Sequence, residues 1–166
     1  MTQVYFYTTL VHTPLVPFGV SLLKASAGVM ITASHNPARD NGYKVYWANG
    51  CQIIPPHDKA IAAAIQQNLE PTSWDAGLVD HPPSPLLVER PLEKVREAYF
   101  ERLKRINDTP AERGAWGGRV RFVYTPMHGV GLPFMKRAME DLGVAEDMVI
   151  VKEQARPPPS AGPAMG

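Results

Sequence analysis

Several features that mark specialised classes of protein are scarce in this sequence of 166 residues. Its single cysteine, Cys51, excludes an internal disulfide. No apolar run is long enough to span a bilayer, and the N-terminus lacks a basic segment followed by an apolar stretch and a small-residue cleavage site. We therefore expect a cytoplasmic protein with no membrane partner.

The sequence also lacks an excess of charge of either sign. Its 17 Lys and Arg against 16 Asp and Glu give a formal charge of +1, and these charges are interspersed along the chain. Because nucleic-acid binding needs a basic patch or stripe, we expect no nucleic-acid partner. Neither the Gly-rich phosphate loop of nucleoside triphosphatases nor a G-x-G-x-x-G fingerprint occurs. The 45% apolar and 20% charged composition is that of an ordinary globular protein.

The first part of the chain predicts a strand, a helix and a second strand. Gln3 to Leu10 is rich in β-formers, and Thr13-Pro14 is typical of a helix start. Gly28 is expected to end that helix in a left-handed conformation. Val29 to Ala33 is a short apolar run with no polar alternation, which favours a strand buried on both faces.

The next part predicts a hairpin and a helix. The hairpin strands are Gly42 to Trp47 and Cys51 to Ile54, joined around Asn49-Gly50, and Cys51 is interpreted as a small buried apolar residue. The following helix, Asp58 to Asn68, is expected to turn Ile61 and Ile65 inward.

The second half predicts a connection followed by the start of another α/β structure. Thr72 to Pro91 is rich in proline and shows no period, which indicates a connection between domains. Residues 92–106 have the pattern of an amphipathic helix. A strand at 120–124, a helix at 134–142 ended by Gly143 and a strand at 148–151 are predicted next. From Ala155 the Pro-rich and Gly-rich sequence predicts disorder.

Ser34 is the first candidate for chemistry, because it directly follows a predicted strand, where open α/β sheets place their ligands. The spacing alone favours a simpler interpretation. Asn36-Pro37 is a turn signal, and a loop serine or His35 more often bonds the local backbone than acts as a catalyst.

A longer motif changes this balance. The run Thr32-Ala33-Ser34-His35-Asn36-Pro37, followed by Asp40-Asn41-Gly42-Tyr43-Lys44, resembles the active-site loop of the α-D-phosphohexomutases. The resemblance extends by eye over residues 3–157, including the run from Thr125 to Gly131. It is strongest to the phosphoglucomutase-2 branch with its phosphopentomutase and glucose 1,6-bisphosphate synthase relatives. The resemblance implies an α/β fold. The chain would contain an incomplete first domain of the three-layer α/β/α type and the beginning of a second domain.

The resemblance also implies a phosphosugar mutase. Ser34 would carry a phosphoryl group that moves between the C1 and C6 (or C5) hydroxyls of a sugar phosphate through a bisphosphate intermediate. Lys44 would be the acid–base group, and His35 would position the phosphate. Mg²⁺ would be bound by the phosphoryl group on Ser34 and by the aspartates of a D-x-D-x-D loop, with a sugar 1,6-bisphosphate as activator. The substrate-binding candidates are Asn36, Arg39 and Asn41.

By the same resemblance the domains are 1–72, the C-terminal part of domain I; 73–118, a linker and connecting helix; 119–154, the beginning of domain II; and 155–166, a disordered tail. No D-x-D-x-D spacing occurs. We therefore expect a truncated form, a fragment or an altered reading frame, with negligible activity as an isolated chain. The alternative is a non-catalytic fragment that binds sugar phosphates or associates with a full-length relative. A chance match in an unrelated α/β domain would require several coincidences.

Overall fold

The computed structural model of the chain describes residues 3–37, 39–82, 88–106 and 121–155. The chain divides into two compact units, which are described separately below. The first unit comprises Met1–Thr9 and Thr13–Val95, and the second comprises Leu10–His12 and Arg96–Gly166. Helices and short strands make up both units, as an α/β sequence predicts.

The first unit contains four strands and two complete helices among the described residues. In chain order these are β1 (Val4–Tyr5), α1 (Leu15–Leu23), β2 (Ala27–Ile31), β3 (Tyr43–Trp47), α2 (His57–Gln67), a 3₁₀ turn (Ala76–Val79), β4 (Val88–Glu89) and the start of α3 (Leu92–Ile106). β1 pairs with β4 in parallel, and β2 pairs with β3 in antiparallel register, with Val29 opposite Val45. The strand predicted from Gln3 to Leu10 is therefore much shorter than expected.

Helix α1 ends earlier than the sequence predicts. Lys24, with φ of +53°, adopts the left-handed conformation expected of Gly28. Gly28 lies instead within β2, where a Cβ atom would come within 2.4 Å of Val20 Cγ2. The absence of a side chain at Gly28 thus serves the close packing of α1 on β2, and its prediction as a helix terminator is wrong.

Strand β2 is not buried on both faces. Val29 is 56% and Ile31 is 73% exposed, whereas Gly28 and Met30 on the opposite face are half-buried. Helix α1 contacts both β2 and β3 and covers only one side of this pair. The apolar run from Val29 to Ala33 predicted a strand that is buried on both faces. Burial of the second face would need another covering layer, which the described residues of this unit do not supply.

The predicted hairpin is present in reduced form. Trp47 donates its N–H to the carbonyl oxygen of Cys51 at 3.0 Å, and Tyr46 forms a single antiparallel bridge with Gln52. No second strand extends from this bridge to Ile54 among the described residues. Cys51 is exposed, so its interpretation as a buried residue is wrong. Because the pairing is limited to a single bridge, the side chain of Cys51 beside it stays open to solvent.

Helix α2 forms at the predicted position but has no buried residue. Ile61 is half-buried, and Ile65 is 40% exposed, so the expectation that Ile65 faces inward is wrong. The alanines of α2 favour a helix even where nothing packs against it. The sequence therefore predicted the helix correctly but not the exposure of its side chains.

The core of the first unit is formed by side chains from α1, β3 and the start of α3. Leu15 and Val95 are completely buried, and Val20, Tyr46 and Leu92 are at most 7% exposed. The bounds predicted for α3 are confirmed.

Besides most of α3, the described residues of the second unit form two parallel strands and helix α4. They are β5 (Phe122–Tyr124), α4 (Leu132–Leu142) and β6 (Met148–Ile150), with 3₁₀ turns at Ala145–Asp147 and Lys152–Gln154. Gly143, with φ of +72°, ends α4 as predicted. Val120 at the start of the predicted strand and residues 156–166 of the predicted tail lie outside the described residues.

Aromatic and ionic contacts join α3 to α4 within the second unit. Phe100 on α3 is 2% exposed, and the Arg137 guanidinium lies 5.2 Å from its ring centre. Arg137 Nε donates to Asp141 Oδ2 at 3.1 Å, and Lys104 Nζ lies 3.3 Å from Asp141 Oδ1. Arg137 also reaches Glu97 of α3 at 3.5 Å. The Lys104–Asp141 and Arg137–Glu97 pairs bridge the two helices, whereas the Arg137–Asp141 pair lies within α4. Each pair contributes modestly because the side chains are partly solvated.

Candidate functional site

A loop spanning residues 33–41 connects β2 to β3 and is closed at its base by the backbone. Thr32 donates its N–H to the carbonyl oxygen of Gly42 at 2.9 Å, which continues the antiparallel pairing one step beyond the strands. A Cβ atom on Gly42 would lie 2.8 Å from the backbone carbonyl oxygen of Thr32. Real Cβ atoms do not come this close to a backbone oxygen. The loop base therefore requires glycine at position 42.

Ser34 sits in this loop with a backbone that L-residues rarely adopt. Its φ is +60°, in the left-handed region, which costs a non-glycine residue about 1–2 kcal/mol. Its N–H donates to Thr32 Oγ1 at 3.0 Å. Conformations of this kind persist only where the surroundings hold them, and they cluster at functional sites. The strain points to Ser34 as a residue whose orientation matters.

His35 lies beside the Ser34 hydroxyl. His35 Nδ1 and Ser34 Oγ are 3.3 Å apart, and both side chains are exposed. The tautomer of the ring decides which of the two donates. The hydroxyl is therefore open to an incoming molecule while it is in hydrogen-bond contact with an imidazole.

The remaining loop candidates have exposed side chains. Asn36 donates its N–H to the carbonyl oxygen of Ala33 at 3.1 Å, which tightens the turn, and its side chain is exposed. Arg39 is 88% exposed and lies 4.0 Å from Asp40, and Asn41 is exposed. These polar side chains are available to a ligand, although none is fixed by burial.

Lys44 occupies a different position from the other candidates. It lies in β3 opposite Met30 and is half-buried. None of the hydrogen bonds found among the described residues joins Lys44 to Ser34. The structure thus brings His35 directly to Ser34 and places Lys44 on the strand that leaves the loop.

His128 in the second unit has a backbone role. Met127 and His128 both adopt positive φ, and His128 donates its N–H to the carbonyl oxygen of Gln154 at 2.9 Å.

Sequence reasoning did not find two polar features, one at the Ser34 loop and one in the second unit. The first is the bond from Ser34 to Thr32 Oγ1, for which a threonine two residues before the serine was the available signal. The second is His12 in the second unit, whose Nδ1 is buried with no hydrogen-bond partner among the described groups. Nothing in the residues around His12 in the sequence marks it as buried.

The described residues also limit what could bind a cation. Within the described ranges, no group of three or more His, Cys, Asp or Glu side chains is placed to hold a metal ion. The described residues therefore do not fit a complete Mg²⁺ site. In the same ranges, every helix is too short or too polar to cross a membrane.

Comparison with known proteins identifies the class to which this loop belongs. Residues 2–72 match the family described as phosphoglucomutase/phosphomannomutase, alpha/beta/alpha domain I. The solved structure of a Thermus thermophilus protein named "putative phosphomannomutase" superposes with a TM-score of 0.65 at 33% identity, covering 93% of this chain and 32% of that one. The α/β fold expectation is thereby confirmed.

Residues 2–72 of the chain therefore belong to domain I of the phosphoglucomutase/phosphomannomutase family. The chain is 49% identical over 161 residues to the "Probable phosphoribomutase" of Schizosaccharomyces pombe, covering 95% of this chain and 26% of the relative. It is 47% identical to human phosphopentomutase, covering 94% and 25%, and 43% identical to human glucose 1,6-bisphosphate synthase, covering 94% and 24%. The chain spans about a quarter of the length of these relatives. The resemblance inferred from the serine motif is confirmed.

Proposed function

We propose that the loop at residues 33–41 is the phosphoryl-carrying element of a phosphosugar mutase, with Ser34 as the carrier. The observation that carries the proposal is the conformation of Ser34. It is exposed, held at positive φ and in contact with His35 Nδ1. The names of the relatives direct the proposal to pentose and hexose phosphates as substrates.

The proposed phosphoryl transfer forms one oxygen–phosphorus bond and breaks another. A sugar-phosphate hydroxyl oxygen attacks the phosphorus carried on Ser34 Oγ, forming the new O–P bond as the bond from phosphorus to Oγ breaks. The hydroxyl proton is removed by a base, and an acid returns a proton to Ser34 Oγ. The product is a sugar bisphosphate, which gives its other phosphoryl group back to Ser34 by the reverse steps.

The side chains of the loop divide this work in our proposal. Lys44 serves as the acid–base group for the sugar hydroxyl, and His35 positions the phosphoryl group, consistent with its 3.3 Å contact to Ser34 Oγ. Asn36, Arg39 and Asn41 supply hydrogen bonds or positive charge to the substrate phosphate. A phosphoserine brings a charge of about −1.5 to −2, so such groups are needed near it.

A divalent cation would add charge neutralisation at the phosphoryl group when bound. We propose Mg²⁺ as that cation, with the Ser34 phosphoryl group as one ligand. Because the described residues provide no cluster of further ligands, these would have to come from elsewhere.

A second candidate function is binding without catalysis. The exposed apolar side chains of β2, Val29 and Ile31, favour association of this chain with another protein surface, such as a full-length relative. In this case the loop would bind sugar phosphates without exchanging phosphate.

Phosphate capture distinguishes the two functions. The chain is incubated with glucose 1,6-bisphosphate and Mg²⁺, and its intact mass and peptides are measured. We expect one added phosphoryl group on Ser34, absent from Ser34→Ala and retained in Ser26→Ala, which changes an exposed serine outside the loop. An unmodified Ser34 in a folded chain that co-purifies with a full-length relative would support binding instead.

A further inference from the structure

Thr32 directly precedes the loop at residues 33–41, and neither the motif nor the proposed chemistry gives it a role. Its backbone and side chain make two separate contacts. The Thr32 N–H binds the Gly42 carbonyl oxygen at 2.9 Å and closes the loop base. The Thr32 hydroxyl oxygen accepts the N–H of Ser34 at 3.0 Å. A substitution that changes only the side chain therefore tests the second contact without removing the first.

We propose that the Thr32 hydroxyl is a positioning group that holds Ser34 in its left-handed conformation and so orients Oγ for phosphoryl transfer. This inference rests on the proposed function of Ser34. Positive φ is unfavourable for serine, so an extended or right-handed backbone is the alternative state. The hydrogen bond to Thr32 Oγ1 favours the left-handed state, because it ties the Ser34 N–H to a side chain two residues before it.

The consequence for chemistry follows from the contact made by Ser34 Oγ. At φ of +60° the hydroxyl lies 3.3 Å from His35 Nδ1. If the backbone of Ser34 rotates, Oγ and the imidazole separate, although both residues stay in the chain and the loop base stays closed. Thr32 thus acts through Ser34 and does not itself contact the reacting atoms.

The test compares Thr32→Val, which keeps the branched shape without the hydroxyl, with Thr32→Ser, which keeps the hydroxyl. The rate of Ser34 phosphorylation by glucose 1,6-bisphosphate is measured by intact mass. Loss of one hydrogen bond predicts a rate roughly three- to tenfold lower in Thr32→Val, with Thr32→Ser within about twofold of the parent chain. Thr8→Val, at an exposed threonine outside the loop, serves as the control and is expected to leave the rate unchanged.

A second measurement tests the positioning role of Thr32 without depending on phosphorylation of Ser34. Amide hydrogen exchange at Ser34, followed by NMR in the same variants, is expected to be faster in Thr32→Val than in the parent chain and in Thr32→Ser. Equal exchange in all three would overturn the positioning role, as would equal phosphorylation rates. If the parent chain takes no phosphate, the proposed function of Ser34 fails, and the exchange rates still decide whether Thr32 holds the loop.

Discussion

At the scale of single residues, His12 has the surroundings of a pH-sensitive group. Its ring lies 4.0 Å from the Phe134 ring and 5.2 Å from the Tyr99 ring, both within the second unit. Its Nδ1 is buried without a hydrogen-bond partner among the described groups. Burial lowers the pKa of His12 below its usual value of 6.5, because the charged imidazolium loses water without gaining a partner.

The shift in His12 predicts lower stability in mild acid. The unfolded chain takes up the proton at higher pH than the folded one, so the stabilisation is complete above about pH 6.5 and is lost as the pH falls below that value. Tyr99 stays neutral in this range, because a tyrosine hydroxyl titrates only at about pH 10 and burial raises the pKa of Tyr99 further. His12→Phe keeps an aromatic ring and removes the titration.

Urea unfolding at about pH 7.5 and about pH 5 checks this prediction. We expect a smaller loss of stability between the two conditions in His12→Phe than in the parent chain. His81→Phe, at an exposed histidine, is the matched control and should lose as much as the parent. An unchanged pH dependence in His12→Phe would show that His12 does not carry the effect.

At the scale of elements, two glycines have the same positive φ but differ in what surrounds them. Gly50 after β3 and Gly143 after α4 both have φ of +72°. A Cβ atom on Gly50 would lie 2.6 Å from Ser21 Oγ and 3.1 Å from the Pro17 carbonyl oxygen. A Cβ atom on Gly143 would meet no atom within 4 Å.

This difference predicts unequal costs for the same substitution. Gly143→Ala should lower the free energy of unfolding by about 1 kcal/mol, because only the left-handed backbone is strained. Gly50→Ala should cost about 2–4 kcal/mol, since crowding against α1 adds to that strain. Urea denaturation measures both.

Adding Ser21→Ala to Gly50→Ala should recover part of the loss, because it removes the Oγ atom that the new methyl group would meet. Equal costs at the two glycines, or no recovery in the double variant, would contradict this account of crowding at the turn.

The helices and strands show what local sequence patterns can predict. The bounds of α3 and the end of α4 at Gly143 followed from apolar periodicity and a glycine signal, which depend on neighbouring residues. The exposure of Val29 and Ile31 did not follow, because burial of β2 depends on which layers cover the sheet. The serine loop was located by its motif. The left-handed backbone of Ser34 and its hydrogen bond to Thr32 Oγ1 did not follow from the motif, because residue identities alone do not fix a dihedral angle.

At the scale of the whole molecule, the open surroundings of Ser34 bear on turnover. Ser34 and His35 are exposed, and Arg39 is 88% exposed. Phosphoryl transfer is catalysed mainly by positioning and by charge stabilisation in a site from which water is excluded. A loop with these exposures provides little of either, and the chain spans about a quarter of the length of its relatives. We therefore predict that the isolated chain of 166 residues can accept a phosphoryl group but turns over poorly.

The assay measures interconversion of glucose 1-phosphate and glucose 6-phosphate, and of ribose 1-phosphate and ribose 5-phosphate, with Mg²⁺ and a trace of glucose 1,6-bisphosphate. Human phosphopentomutase, measured alongside, is the reference. Misplacement of catalytic groups by about 1 Å already costs about a hundredfold, so we expect kcat/KM to be lower than the reference by at least about that factor. Turnover close to the reference and abolished by Ser34→Ala would refute the prediction. It would mean that residues of this chain alone exclude water and stabilise the transferred charge around the exposed serine.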